Sequence, residues 1–143
     1  MMTSFSEYLK PGNKGHLIGI GGVSMSPLAE VLSGMGLVIK GSDMRDSEKV
    51  ESLRRKGIEV NIGHRAENID SDTDFVVRTA AVHDENVEIM AARSMGIPVF
   101  ERTQAWGTLM RDYKNAICIA GTHGKTTTTS MSTHILMAAD RDP

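Results

Sequence analysis

A single cysteine in 143 residues excludes an internal disulfide. Cys118 sits in the apolar run AICIA, where a small buried hydrophobe is expected rather than a reactive thiol. No apolar run is long enough to span a bilayer. The opening segment MMTSFSEYLKPGNKG has none of the apolar character of a secretory signal. Neither sign of charge dominates. Sixteen Lys and Arg stand against eighteen Asp and Glu, a formal net charge of −2, so neither nucleic acid nor an anionic membrane is expected as a partner. Low-complexity segments and fixed-period repeats are also missing. A cytoplasmic location in a reducing compartment fits these absences. The length suits one domain with part of a second.

What is present is alternation. HLIGI (16–20) is a short apolar run ending at glycine, and SPLAEVLSGMG follows with Leu28, Val31, Leu32 and Met35 at helical spacing. LVIKGSD reads as a second strand. DSEKVESLRRKG reads as a helix with Ser47 as N-cap and Gly57 as its stop. IEVNIG and DFVVRTA supply two more strands, DENVEIMAARSMG a helix, IPVFE a fifth strand and RTQAWGTLMRDY a further helix. The run AICIAGTHGKTTTTSM then reads as strand, turn and helix. Short buried strands alternating with amphipathic helices predict an α/β fold, a Rossmann-like doubly wound parallel sheet. In such sheets ligands bind beyond the carboxyl ends of the strands.

Two glycine-rich turns occupy such positions. The first is GIGGVS, with Gly19, Gly21 and Gly22 between a strand and a helix. In the G-x-G-x-x-G pattern the third glycine would fall at Ser24. Glycines here allow close approach to a diphosphate, which the next helix meets with free N–H groups. The same residues would also serve an ordinary strand-to-helix turn, but their placement favours phosphate. Asp43 ends the second strand near the spacing at which an acidic residue bonds a ribose hydroxyl, although Asp also suits turns. His64 follows Gly63 at the end of the third strand and has either a sugar or phosphate contact or a solvated position open to it.

The second turn is GTHGKTTT, with Gly121, Thr122, His123, Gly124, Lys125, Thr126 and Thr127. A phosphate loop needs backbone N–H groups, a lysine for the outer phosphates and a hydroxyl for magnesium. Gly124, Lys125 and Thr126 supply that core, although Ile119 stands where the strict pattern has glycine. The alternative is a polar helix start capped by Thr122. Two phosphate loops imply two phosphorylated ligands. A nicotinamide-dependent oxidoreductase needs only the first, and a simple ATPase only the second.

HLIGIGGVSMSPLAEVL, GSD, Gly63-His64, NVE, IPV and GTHGKTTTT resemble, in order, the N-terminal part of the Mur ligase family, across residues 16–134. Within the family, GIGG favours the branch that attaches L-alanine to UDP-N-acetylmuramate over the branch that recycles murein tripeptide. The resemblance implies three domains in a whole ligase: one for the UDP part of the substrate, one for ATP, and one for ATP and the amino acid. It implies that ATP phosphorylates the muramoyl carboxylate and that the amine of L-alanine attacks the acyl phosphate. It sets Gly19, Gly21, Gly22 and Ser24 against the UDP diphosphate, and Ser42, Asp43 and His64 at the uridine. It gives Gly121, Thr122, His123, Gly124, Lys125, Thr126 and Thr127 to ATP, Lys125 to catalysis and Thr126 to Mg2+. Two places depart from the family pattern: Ser24 replaces a usual glycine, and VVRTAAV stands where paired serines are usual.

On this reading residues 1–114 form the UDP-substrate domain, and residues 115–143 begin a truncated ATP-binding domain. The chain is then expected to be a fragment that binds UDP or UDP-N-acetylmuramate but does not ligate alone. The alternative is a non-catalytic nucleotide-sugar-binding module. Met131, Ile135 and Ala138 share a helical face with no expected cover, so residues 116–143 are expected to fray or to form a homodimer contact.

Overall fold

The computed structural model describes residues 4–141, so residues 1–3 of the expected first domain and 142–143 of the expected second lie outside it. The chain divides into two compact units, one ending at Asp112 and the other starting at Tyr113.

The first unit is built on five parallel strands: β1 (Lys14–Ile18), β2 (Val38–Asp43), β3 (Glu59–Ile62), β4 (Phe75–Arg78) and β5 (Val99–Glu101). Their order is β3-β2-β1-β4-β5, and every pairing is parallel. Four helices connect or follow them: α1 (Met25–Gly34), α2 (Glu48–Arg55), α3 (Val87–Ser94) and α4 (Arg102–Arg111). The expected doubly wound α/β sheet is therefore present. β1 lies two residues earlier than the apolar run suggests, because Gly19 and Ile20 already belong to the turn.

Alternation along each strand divides the side chains between two faces. Leu17, Ile39, Val60, Phe75 and Val77 pack with Leu28 and Leu32 of α1, Val50 and Leu53 of α2, and Ala105 and Leu109 of α4. On the other face Ile18 and Val76 pack with Ile69, with Ile89 and Ala92 of α3, and with Ile97. Each such buried aliphatic side chain contributes roughly 1.5–3 kcal/mol. The few aromatics are concentrated: Phe5, from a 3-10 turn at Phe5–Tyr8, meets Phe75 and Phe100 edge-on at 5.3 and 5.1 Å.

Local signals set the helix ends. Ser47 caps α2 by accepting from the Val50 amide, and Asn86 caps α3 by accepting from Glu88 and Ile89. The strand order reverses direction between β1 and β4, which opens a crevice at their carboxyl ends.

The second unit contains one described helix, α5 (Lys125–Ala138). Two expectations are corrected here. Residues 116–120 form no strand, because a strand exists only by pairing and no described segment pairs with them. Cys118 is accordingly exposed rather than buried. The α5 stripe is exposed as well, with Met131 at 60% and Ile135 at 66%.

Candidate functional site

The first glycine turn is held by the backbone of the neighbouring strand. Gly19 and Ile20 both donate to the carbonyl of Ser42, at 2.8 and 3.0 Å. Gly19 makes the turn at φ +78°, a conformation that side chains with a Cβ rarely adopt. The carboxylate of Asp43 is committed to the backbone. One oxygen accepts from Gly21 N at 2.9 Å and the other from Arg45 N at 3.2 Å. Asp43 thus ties the end of β2 to the turn after β1. A Cβ on Gly21 would come within 2.9 Å of Asp43 Oδ2 and 3.0 Å of Val50 Cγ2, so the turn has no room for a side chain there.

Gly22 accepts at its carbonyl from Met25 and Ser26 as α1 begins. Ser24 stands at the N-cap of α1 without a capping hydrogen bond from its own side chain. Its hydroxyl instead accepts from Arg102, and its carbonyl accepts from Trp106 Nε1 at 3.1 Å. Ser24, where the resemblance implies a glycine, therefore anchors the turn to α4. Arg78, the other departure, is committed to Val82 O at 2.6 Å and Glu101 at 2.7 Å.

A cavity of about 550 Å3 opens at the carboxyl ends of the strands, with Gly19, Asp43, His64, Thr79, His83 and Asn86 among its lining residues. Three of the sequence-derived site residues, Gly19, Asp43 and His64, meet there. Ser42 does not line it. Its side chain is fully buried, and its hydroxyl donates to Glu88 at 2.6 Å. A second cavity, of about 400 Å3, lies at the opposite ends of the strands, where Lys14 and Lys40 already pair with Asp72 and Asp70.

Beneath the first cavity lies a polar cluster in which two expected site residues, Ser42 and His64, meet Glu88, Asn68 and His16, to which sequence reasoning gave no role. Glu88, in the first turn of α3, is completely buried. Its Oε2 receives the Ser42 hydroxyl and lies 3.1 Å from His64 Nδ1. Asn68 donates to Oε1. His16 of β1, also fully buried, approaches Oε2 at 3.7 Å, an electrostatic contact too long for a hydrogen bond. Burial pushes the Glu88 carboxyl up, but His16, Ser42 and Asn68 together outweigh it and hold the group at about 2, below the ordinary 4.5. The available signal was a histidine inside the apolar run HLIGI, since a buried imidazole calls for a polar or charged neighbour.

The second glycine turn belongs to the second unit. Gly124 adopts φ +76° at the start of α5, and no side chain caps that end. Lys125 Nζ folds over the turn and donates to Gly121 O at 2.7 Å. The first-turn N–H groups and an adjacent ammonium fit a chain of phosphates. Thr126, the residue expected to meet a magnesium ion, follows Lys125 in the first turn of α5. No group of three His, Cys, Asp or Glu residues suited to a metal occurs among the described residues. Nor is any described helix long and apolar enough to cross a membrane.

Comparison with known proteins gives a consistent picture. Residues 14–114 match the model of the Mur ligase family, catalytic domain. A UDP-N-acetylmuramate--L-alanine ligase of Agathobacter rectalis is 51% identical over 128 residues, covering 90% of this chain and 28% of the relative. The crystal structure of UDP-N-acetylmuramate-alanine ligase from Thermotoga maritima superposes with a TM-score of 0.82 at 39% identity, over 87% of this chain and 29% of that one. A murein peptide ligase from Psychrobacter arcticus 273-4 gives a TM-score of 0.85 at 28% identity, over 90% of this chain and 27% of its own. The chain therefore spans under a third of the length of these relatives.

Proposed function

The chain belongs to the Mur ligase family, and on that premise we propose that it carries the UDP-substrate-binding part of an ATP-dependent ligase joining L-alanine to UDP-N-acetylmuramate for peptidoglycan synthesis. The observation that carries this reading is the cavity where Gly19, Asp43 and His64 meet at the first glycine turn. A diphosphate belongs at Gly19, Gly21, Gly22 and Ser24, against the N-terminus of α1. The nucleoside belongs against Asp43 and His64, with Ser42 acting from below through Glu88.

Residues 115–143 begin the ATP-binding domain on this reading, and the exposed stripe of α5 is a face for further chain to cover. That assignment is supported by relatives more than three times as long. Gly121 to Thr127 would cradle the phosphates, Lys125 would neutralise charge on the transferring group, and Thr126 would offer its hydroxyl to Mg2+. Bound ATP and magnesium would supply the phosphoryl group that activates a carboxylate. The described residues contain only part of such a site, so the 143-residue chain should bind UDP or its muramoyl derivative without ligating L-alanine.

Titration calorimetry with UDP tests this reading on the wild type and on Gly21→Val. Binding by the wild type and at least about tenfold weaker binding by the variant is the expected result, because the valine would collide with Asp43 and Val50 and displace the turn. Equal binding by both proteins would remove the first glycine turn from the site.

A further inference from the structure

The polar cluster under the cavity constrains one proton. Glu88 Oε2 lies within 3.1 Å of both the Ser42 hydroxyl and His64 Nδ1. His64 Nδ1 also lies 3.1 Å from Ser42 Oγ. The Ser42 hydroxyl has one hydrogen, and at 2.6 Å it is given to the carboxylate. An ionised carboxylate only accepts. His64 Nδ1 therefore faces two acceptors, Glu88 Oε2 and the Ser42 oxygen, and must itself carry a hydrogen. Carboxylate ionisation is favoured by the two donors that reach it, Ser42 at Oε2 and Asn68 at Oε1.

A neutral imidazole with its hydrogen on Nδ1 has a lone pair on Nε2. His64 lines the cavity with Gly19 and Asp43, and the buried cluster takes up its Nδ1, which leaves Nε2 as the ring nitrogen available to a ligand. We infer that Glu88 is a positioning residue that fixes the tautomer of His64, so that Nε2 accepts a hydrogen bond from the N3–H of a uracil base and rejects a cytosine. At N3, cytosine presents a lone pair where uracil presents a hydrogen, so two acceptors would be opposed. The inference rests on the reading of this cavity as a nucleoside site. It adds how the base is selected, and it gives a role to buried groups that touch no ligand.

Two measurements on the full 143-residue chain decide it. Long-range 15N–1H correlation spectra of the imidazole rings, recorded at a pH where His64 is neutral, report which ring nitrogen carries the hydrogen. The expected result is a single Nδ1–H form for His64, converting to a mixture in Glu88→Gln. Calorimetry with UDP and CDP reads the consequence. The wild type is expected to prefer UDP by about tenfold or more, the scale set by one unmatched buried hydrogen bond, and Glu88→Gln is expected to lose most of that preference. An Nε2–H form in the wild type overturns the inference, as does equal binding of the two nucleotides. An unchanged preference in a folded Glu88→Gln overturns the role of Glu88. If neither nucleotide binds, the nucleoside reading itself fails. If the variant does not fold, the wild-type tautomer and the wild-type UDP-to-CDP ratio still decide the case.

Discussion

The molecule contains the same sequence pattern twice, and the two copies end up physically different. Each is an apolar run, a glycine turn and a helix: HLIGIGG before α1 and AICIAGTHG before α5. Both turns use a glycine at nearly the same angle, φ +78° at Gly19 and +76° at Gly124. In the first, the apolar run is a central strand with parallel neighbours on both sides, and two amides of the turn are bonded to the carbonyl of Ser42. In the second, the run pairs with no described segment and the helix buries no residue. A turn and a helix are local, closing their hydrogen bonds within a few residues. A strand is completed only by its neighbours.

The comparison is broken most severely at Gly41. A Cβ there would lie 2.3 Å from the backbone carbonyl of Leu17, where β1 and β2 run side by side. Gly41→Ala should destabilise the first unit by about 3 kcal/mol or more. It should leave the local hydrogen bonds of α5 untouched. Urea unfolding followed by far-ultraviolet circular dichroism measures this, and a midpoint close to wild type would mean the sheet relaxes around the methyl group.

Acid should distinguish the units next. The Glu88 carboxyl lies at about 2 when folded against an ordinary 4.5, so its contribution is complete above about pH 4.5 and is lost as pH falls toward 2. The size is roughly 3 kcal/mol, since the side chain is fully buried. Unfolding free energies at pH 6 and pH 3 should therefore diverge for the wild type. The difference should shrink in Glu88→Gln, which has no carboxyl to titrate, and an identical pH dependence in the two proteins would assign the acid sensitivity elsewhere.

A smaller effect sharpens the point about local signals. Ser47 caps α2 through the Val50 amide, so Ser47→Ala should cost about 1 kcal/mol in thermal unfolding. A loss within error of zero would show that the packing of Val50 and Leu53 holds that end without the cap. The smallest change in stability is expected from removing the second unit. A chain ending at Asp112 should melt within about 2 °C of the full chain, since the buried core lies entirely before Tyr113. In the full chain, amides of α5 should exchange on the order of 100-fold faster than those of β1. Strong protection of α5 together with a concentration-dependent sedimentation coefficient would instead mean that its apolar stripe is covered by a second copy.

Much of the fold was legible because its signals are short-range. Apolar runs of strand length, the helical spacing of Leu28, Val31 and Leu32, the Ser47 cap and the glycine stops located the five strands and four α-helices of the first unit, but not its 3-10 turns at Phe5–Tyr8 and Ala66–Asn68. Three residues lining the candidate cavity, Gly19, Asp43 and His64, were legible for the same reason, since they sit at strand ends, where a parallel sheet presents its ligands. The rest depended on contacts between distant segments. Glu88, Ser42, His64, Asn68 and His16 come from five separate segments and meet only once α3 is packed on the sheet. Arg102 reaches Ser24 across 78 residues.

By itself the sequence determined the alternating α/β order, the two glycine turns and the helix ends, because each is set by backbone angles and hydrogen bonds within about four residues. Tertiary structure alone decided which apolar run became a strand, and that Ser42 turns away from the cavity. It also decided that a carboxylate is held ionised beneath a histidine. Those outcomes depend on which partner arrives and how much water it excludes, and no stretch of neighbouring residues encodes that.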